Sequence, residues 1–295
     1  MTTRPLTPAM RLVFWIGCVF VLIAGFQLFV LSEHTLRYFA WTVNPPLTAA
    51  VMGAFFWTAL VVAFLSLRQP AWANARVGVP GILLFLILSL SATLVHLDKF
   101  HLHDARPETR LAAWAWLIIY ILDPILVVAA FWSQRRAPGD DPARRARLPA
   151  AYRAVQTTLG AMMLGTGLAL FIAPATVAPS WAWALTPLTA RAVGAWSVGT
   201  GVMLGQAAWE DDWRRIQPAV WGALTLGVLQ LLAIARYADQ LRWGQPAAWL
   251  WLAGVVAMLG SGLYGSFAES RASRAAAEGE GLPTHAPQNP NSVEF

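Results

Sequence analysis

The sequence predicts an all-α integral membrane protein of eight transmembrane helices, built as two parallel four-helix repeats with both termini cytoplasmic. Three observations lead there. The first is composition: 57% of the 295 residues are hydrophobic, 12% are charged, and mean hydropathy is +0.53. Soluble domains carry about 25% charged residues to keep their surface wet, so this chain cannot cover a water-facing surface. A soluble enzyme, a nucleic-acid-binding domain and a disulfide scaffold are excluded. The second is the presence of eight apolar stretches long enough to cross a bilayer. The third is similarity between the two halves.

The predicted spans are Met10–Leu31, Leu47–Leu67, Gly78–Leu97, Leu111–Trp132, Arg153–Ala173, Leu188–Trp209, Pro218–Ala235 and Ala247–Phe267. A hydrocarbon core takes about 20 apolar residues in helix, and helix is required because lipid offers no partner to free backbone groups. The first span is too long for a signal-peptide core and lacks a small-x-small cleavage site, so it reads as a retained helix. The chain divides into a first repeat over residues 1–136, a basic cytoplasmic linker over 137–152, a second repeat over 153–268 and a disordered cytoplasmic tail over 269–295. The linker reads as flexible from its Pro138-Gly139-Asp140-Asp141-Pro142 run. The tail from Glu269 is Ala-, Glu-, Pro- and Asn-rich with no apolar period.

Charge sets the orientation. All but one of the 21 basic residues are Arg, the exception being Lys99, and most lie in short links between spans. One alternate set of loops, with both termini, holds twice the basic residues of the other. The strongest vote is Arg135, Arg136, Arg144, Arg145 and Arg147, and the positive-inside rule places that set in the cytoplasm. The pI of 10.2 therefore reflects topology and not nucleic-acid binding. Trp41, Trp181, Trp183 and Trp243 fall at predicted outer interfaces. The single cysteine, Cys18, permits neither an intrachain disulfide nor a thiolate metal site.

The halves align at a shift of 141 residues. Pro46-Leu47-Thr48-Ala49 recurs as Pro187-Leu188-Thr189-Ala190, and Gly53-Ala54 as Gly194-Ala195. Val79, Gly81, Leu83, Leu88, Leu90, Ala92 and Asp98 match Val220, Gly222, Leu224, Leu229, Leu231, Ala233 and Asp239. Phe39-Ala40-Trp41 echoes Trp181-Ala182-Trp183, and Trp114-x-Trp116 echoes Trp249-x-Trp251. Four spans per repeat give both halves the same orientation, and a site is expected between them.

Candidate chemistry is sparse. His34, His96, His101 and His103 gather on the predicted outer face with Glu33, Asp98 and Asp104. Imidazole and carboxylate together suit Zn, Cu or Ni, and His34 with His96 could ligate a haem iron; the competing reading is ordinary interfacial hydrogen bonding. The duplication pairs Asp98 with Asp239 but aligns His96 with Tyr237, so a histidine site would be one-sided. The aspartates could bond loop N–H groups, pair with Lys99 or Arg236, or bind an ion or substrate.

Within the membrane, Asp123 lies about 18 Å from the outer end of its span at 1.5 Å per residue, and Pro124 follows it. A charged Asp there costs about 2.5–3.5 kcal/mol, so it should face the bundle interior as a proton or cation site, or be a neutral acid bonded to a neighbouring helix. Gln230, at similar depth, could bond it. Arg191 could snorkel to the outer interface, hold an anionic substrate, or pair with Asp239 or Glu33. Gly194, Gly199, Gly201 and Gly205 give a close-packing pattern, not a phosphate loop. No hydrolase motif appears.

The run Thr93-Leu94-Val95-His96-Leu97-Asp98-Lys99-Phe100, followed by Ala113-Trp114-Ala115-Trp116, Tyr120 and Asp123-Pro124, resembles a pattern in uncharacterised multi-pass membrane proteins of high-GC bacteria. That pattern is leucine-histidine-x-aspartate-x-phenylalanine followed by a Trp-rich helix. The resemblance implies a bacterial cytoplasmic membrane and carries no catalytic residues. Three functions fit the residues: movement of a small solute or ion through an inter-half cavity using Asp123, Gln230 and Arg191; metal or haem redox chemistry at the outer histidines; or a non-catalytic assembly component. The lipid bilayer is the one expected partner; cofactor and protein partners stay open.

Overall fold

Among the described residues, eight long helices form a bundle. They are α1 (Pro8–Gly25), α2 (Pro46–Leu67), α3 (Val79–Val95), α4 (Pro107–Arg135), α5 (Ala150–Ile172), α6 (Pro187–Glu210), α7 (Trp213–Arg236) and α8 (Pro246–Glu280). The computed structural model describes residues 2–280, with side chains to residue 271. Among the described residues β structure is limited to isolated bridges, Thr3 with Asp140, Pro5 with Ala71 and Trp41 with Phe100.

Proline starts α1, α2, α4, α6 and α8. Its fixed φ suits the first helical position, and its missing N–H is one that the helix start could not use. Thr7 caps α1 by accepting from the Met10 N–H, and Thr186 closes a capping box on α6 with Thr189. The α6–α7 turn is made by two acids: Asp211 ends α6 in a left-handed conformation at φ 48°, and Asp212 caps α7 by accepting from the Arg214 N–H. Asp tolerates that backbone region better than most side chains.

Seven of these helices are long and apolar enough to cross a membrane, the architecture of a multi-pass membrane protein. The exception is α6, one of the eight expected spans. It forms a 24-residue helix, but Gly, Thr, Ser, Arg191 and Glu210 lower its hydropathy. The physical reason is position. Most of α6 is buried on all sides by α5, α3 and α2, so it contacts helix backbones more than lipid and needs small residues more than apolar ones. Gly201 lies against the backbone of Gly160 and Leu164 on α5, and Gly199 against Gly81 on α3.

Helix contacts exchange when α1–α4 are replaced by α5–α8. The pair α1·α2 corresponds to α5·α6, α3·α4 to α7·α8, α2·α7 to α6·α3, and α1·α4 to α5·α8. The α1·α4 and α5·α8 contacts are the sparsest of these. Short 3₁₀ turns follow both α3 (Leu97–Lys99) and α7 (Ala238–Gln240), and the His101 N–H donates to Ala40 O as the Arg242 N–H donates to Ala182 O.

Three local expectations change. The 137–152 linker is tied down: the Arg145 and Ala146 N–H groups donate to Asp212, Leu148 N–H to Asp211, and the Arg215 guanidinium to Pro142 O. Composition showed its Pro and Gly content but not these acceptors. Helix α8 continues past Glu269 to Glu280, and Glu269 is buried where it accepts from Gln217, so this part of the expected tail is helical; residues 281–295 lie outside the described residues. Trp41, Trp181 and Trp183 are buried within the protein: Trp41 meets Phe39 at a tilt and Trp116 edge to face, and Trp183 meets Trp181 and Trp251 edge to face.

Candidate functional site

Two cavities of similar size lie in the bundle, one lined mainly by α1–α4 and the other mainly by α5, α7 and α8, each closed by a residue of the other sequence half. The first, of about 160 Å³, is walled by α1, α2, α3 and α4 and closed by Trp196 and Gly199 of α6. That is close to the ~150 Å³ of an engineered cavity able to hold benzene. Phe55, Phe56, Phe85, Trp116, Tyr120 and Trp196 supply its aromatic wall, with Trp116 and Tyr120 stacked at 4.1 Å and Phe85 and Trp196 at 3.7 Å between centroids. Asp123 of α4 stands at its edge, half-buried, with no hydrogen-bond or ion-pair partner among the described residues. Its neighbour Pro124 lies inside a continuous helix and has no N–H to give the Tyr120 carbonyl, which therefore lacks its ordinary helical partner. Two more wall residues, Thr58 and Ser66 of α2, have buried hydroxyls with no partner.

The cavity is thinnest-walled at the sparse α1·α4 seam. Gly17 and Phe20 there are only half-buried, and a side chain added at Gly17 would meet nothing within 4 Å.

Gln230 is not the partner of Asp123. Its side chain donates to Val51 O at 3.2 Å and lines the second cavity, of about 170 Å³, between α5, α7 and α8. Equal depth in two spans was insufficient, because α4 and α7 belong to different halves and each lines its own cavity. Arg191 pairs with neither Asp239 nor Glu33. Its guanidinium donates to His96 Nε2 at 2.6 Å, which joins α6 to the end of α3. Burial, then the Arg191 charge, holds the His96 imidazole below its usual pKa. Glu33 instead accepts from Tyr237 and Arg236.

The outer histidines are not brought into one site. His101 accepts from Thr42 at Nε2 and donates from Nδ1 to Phe39 O, so both ring nitrogens hold the Trp41–Phe100 corner. His34 and His103 are exposed. Among the described residues no three His, Cys, Asp or Glu side chains are grouped to hold a metal ion. Asp98 is exposed on Lys99 at 2.8 Å, and Asp239 is exposed on the equivalent turn.

Sequence reasoning missed one polar centre. At the Arg-rich end Glu210, fully buried, accepts from Arg76, Arg215 and Gln206, while Arg76 also reaches Asp141. The Glu210-Asp211-Asp212-Trp213-Arg214-Arg215 run was its signal. These contacts hold the start of α3, α6, α7 and the 137–152 segment together, and Asp141 keeps one buried carboxylate oxygen without a hydrogen-bond partner. No protein-family model, curated protein or solved structure matches the chain.

Proposed function

We propose that this protein moves a small lipophilic organic cation across the membrane, entering the first cavity from the lipid at the α1·α4 seam. The observation carrying this reading is Asp123, without a hydrogen-bond or ion-pair partner among the described residues, on an otherwise uncharged cavity wall that includes six aromatic rings. A lone carboxylate at that depth is costly unless a positive charge meets it. Aromatic faces attract cations within about 6 Å, and the freed Tyr120 carbonyl adds a neutral acceptor. An inorganic ion would need more oxygen ligands than this wall offers.

The topology belongs to the same proposal: eight spans in two duplicated halves, with both termini in the cytoplasm of a bacterial inner membrane. Supporting it are the exchange of helix contacts, the equivalent aromatic triads Phe39–Trp41–Trp116 and Trp181–Trp183–Trp251, and the Arg-rich end. A redox role is disfavoured by the structural engagement of His96 and His101.

The test is uptake of radiolabelled phenyltrimethylammonium by proteoliposomes under an inside-negative potential. Wild-type protein is expected to exceed empty liposomes, and Asp123→Asn and Gly17→Leu to fall at least about tenfold, the loss of one charge-assisted contact. Unchanged uptake in Asp123→Asn would remove the proposal.

A further inference from the structure

We infer that a proton and the organic cation take turns on Asp123, so that this protein exchanges one proton for each cation it moves. The inference rests on the cation reading of the first cavity and deepens it by naming what drives the movement. Asp123 lines that cavity with no hydrogen-bond or ion-pair partner among the described residues, and the wall offers no other charge to neutralise it. The lining residues of α1, α2, α3 and α6 include no acid, no base and no charged side chain, and α4 adds Tyr120 as the one other titratable group. A phenol carries no charge around neutral pH. Cys18 of α1 lies off the wall. The arginines of these helices sit towards their ends: Arg11 donates to Leu67 O and Gln69 O, Arg191 to His96, and Arg110 and Arg135 are exposed.

A bare carboxylate within a membrane span is costly, so the empty site takes a proton from water. The proton turns the carboxyl into a donor, and the Tyr120 carbonyl one turn back is an acceptor that Pro124 leaves without its helical N–H. Arrival of the cation reverses this: the acid releases its proton to water, and the carboxylate pairs with the cation. When the cation departs on the other side, a proton from that side replaces it. A site holding both would carry a net positive charge in an apolar wall, and a site holding neither a net negative one; both are costly. One positive charge therefore moves each way, and the cycle carries no net charge. The second cavity fixes the stoichiometry. Trp116 and Trp251 each line one cavity, and the residue seven further on is Asp123 in the first and Met258 in the second. The second wall supplies no carboxylate, so one proton is exchanged per cation.

The experiment is uptake of radiolabelled phenyltrimethylammonium by proteoliposomes of the full-length protein, with potassium and valinomycin setting the potential. The quaternary nitrogen has no proton to lose, so a response to pH belongs to the protein. At zero potential an acid interior should drive accumulation toward the proton ratio, about tenfold per pH unit. At equal pH the label enters down its own concentration gradient, and an inside-negative potential should add nothing to the protein-dependent part. Asp123→Asn has no proton to exchange and should lose the response to the pH gradient, whereas Asp123→Glu should keep it. Uptake that follows the potential and ignores the pH gradient overturns the exchange and leaves the cation reading standing. An equal pH response in wild type and Asp123→Asn also overturns it. Uptake no greater than in empty liposomes under either gradient removes both readings.

Discussion

Single residues separate two kinds of polar group in this bundle. Glu210 is structural: fully buried, it carries the charges of Arg76 and Arg215. Removing one partner of such a cluster strands the others, so Glu210→Ala is expected to cost about 3–5 kcal/mol, read as a lowered unfolding midpoint in detergent; a loss below about 1 kcal/mol would contradict the assignment. His96 is also structural, and its contact depends on pH. Arg191 donates to the neutral ring, and the imidazole pKa is lowered by burial and by that cation. A lowered folded-state pKa means the contact's stability is fully present above the ordinary histidine pKa of about 6.5 and is lost as pH falls through the lower folded value. Wild-type Tm should therefore drop more than that of His96→Gln between neutral and mildly acid pH; equal drops would contradict it. Asp123 differs from both because it has no hydrogen-bond or ion-pair partner among the described residues. Its depth beside Pro124 was legible in the sequence. Its surroundings were not, since Phe55, Phe85 and Trp196 come from three helices and only packing brings them together.

At the scale of helices, apolar length located the seven helices able to cross a membrane, because length and hydropathy are local properties, and the eighth expected span forms the less apolar helix α6. They could not show which helix is central. The glycines of α6 carried that information through their spacing, and its low hydropathy follows from burial by other helices. Two substitutions test this. At Gly201 an added Cβ would sit 2.7 Å from Gly160 O and Leu164 N, so Gly201→Ala should force α5 and α6 apart and cost about 1–3 kcal/mol. At Gly165, one helix over, nothing lies within 4 Å, and Ala there should be neutral or stabilising by up to about 1 kcal/mol. Unfolding midpoints of the two variants should lie on opposite sides of wild type or nearly so; equal destabilisation would contradict the close α5·α6 crossing. Trp positions misled for a related reason. Indoles near span ends satisfy an interfacial pattern, but Trp41 and Trp183 turn inward onto Trp116 and Trp251, a choice set by loop geometry that sequence position does not encode.

For the whole molecule, helix contacts exchange when α1–α4 are replaced by α5–α8, which supports the proposed duplication. Asp123 faces one cavity and Met258 the other. Between the two cavities α2, α3, α6 and α7 pack closely against one another, and residues of both sequence halves, Trp196 in the first cavity and Phe55 in the second, close the two walls. The central claim is that the Asp123 cavity recognises an organic cation, and the most direct measurement is saturation binding of tritiated phenyltrimethylammonium to protein in nanodiscs, wild type beside Asp123→Asn. The account predicts one saturable site whose affinity falls at least about tenfold in the variant. Equal affinity in the two proteins, or no saturable binding to either, would contradict it.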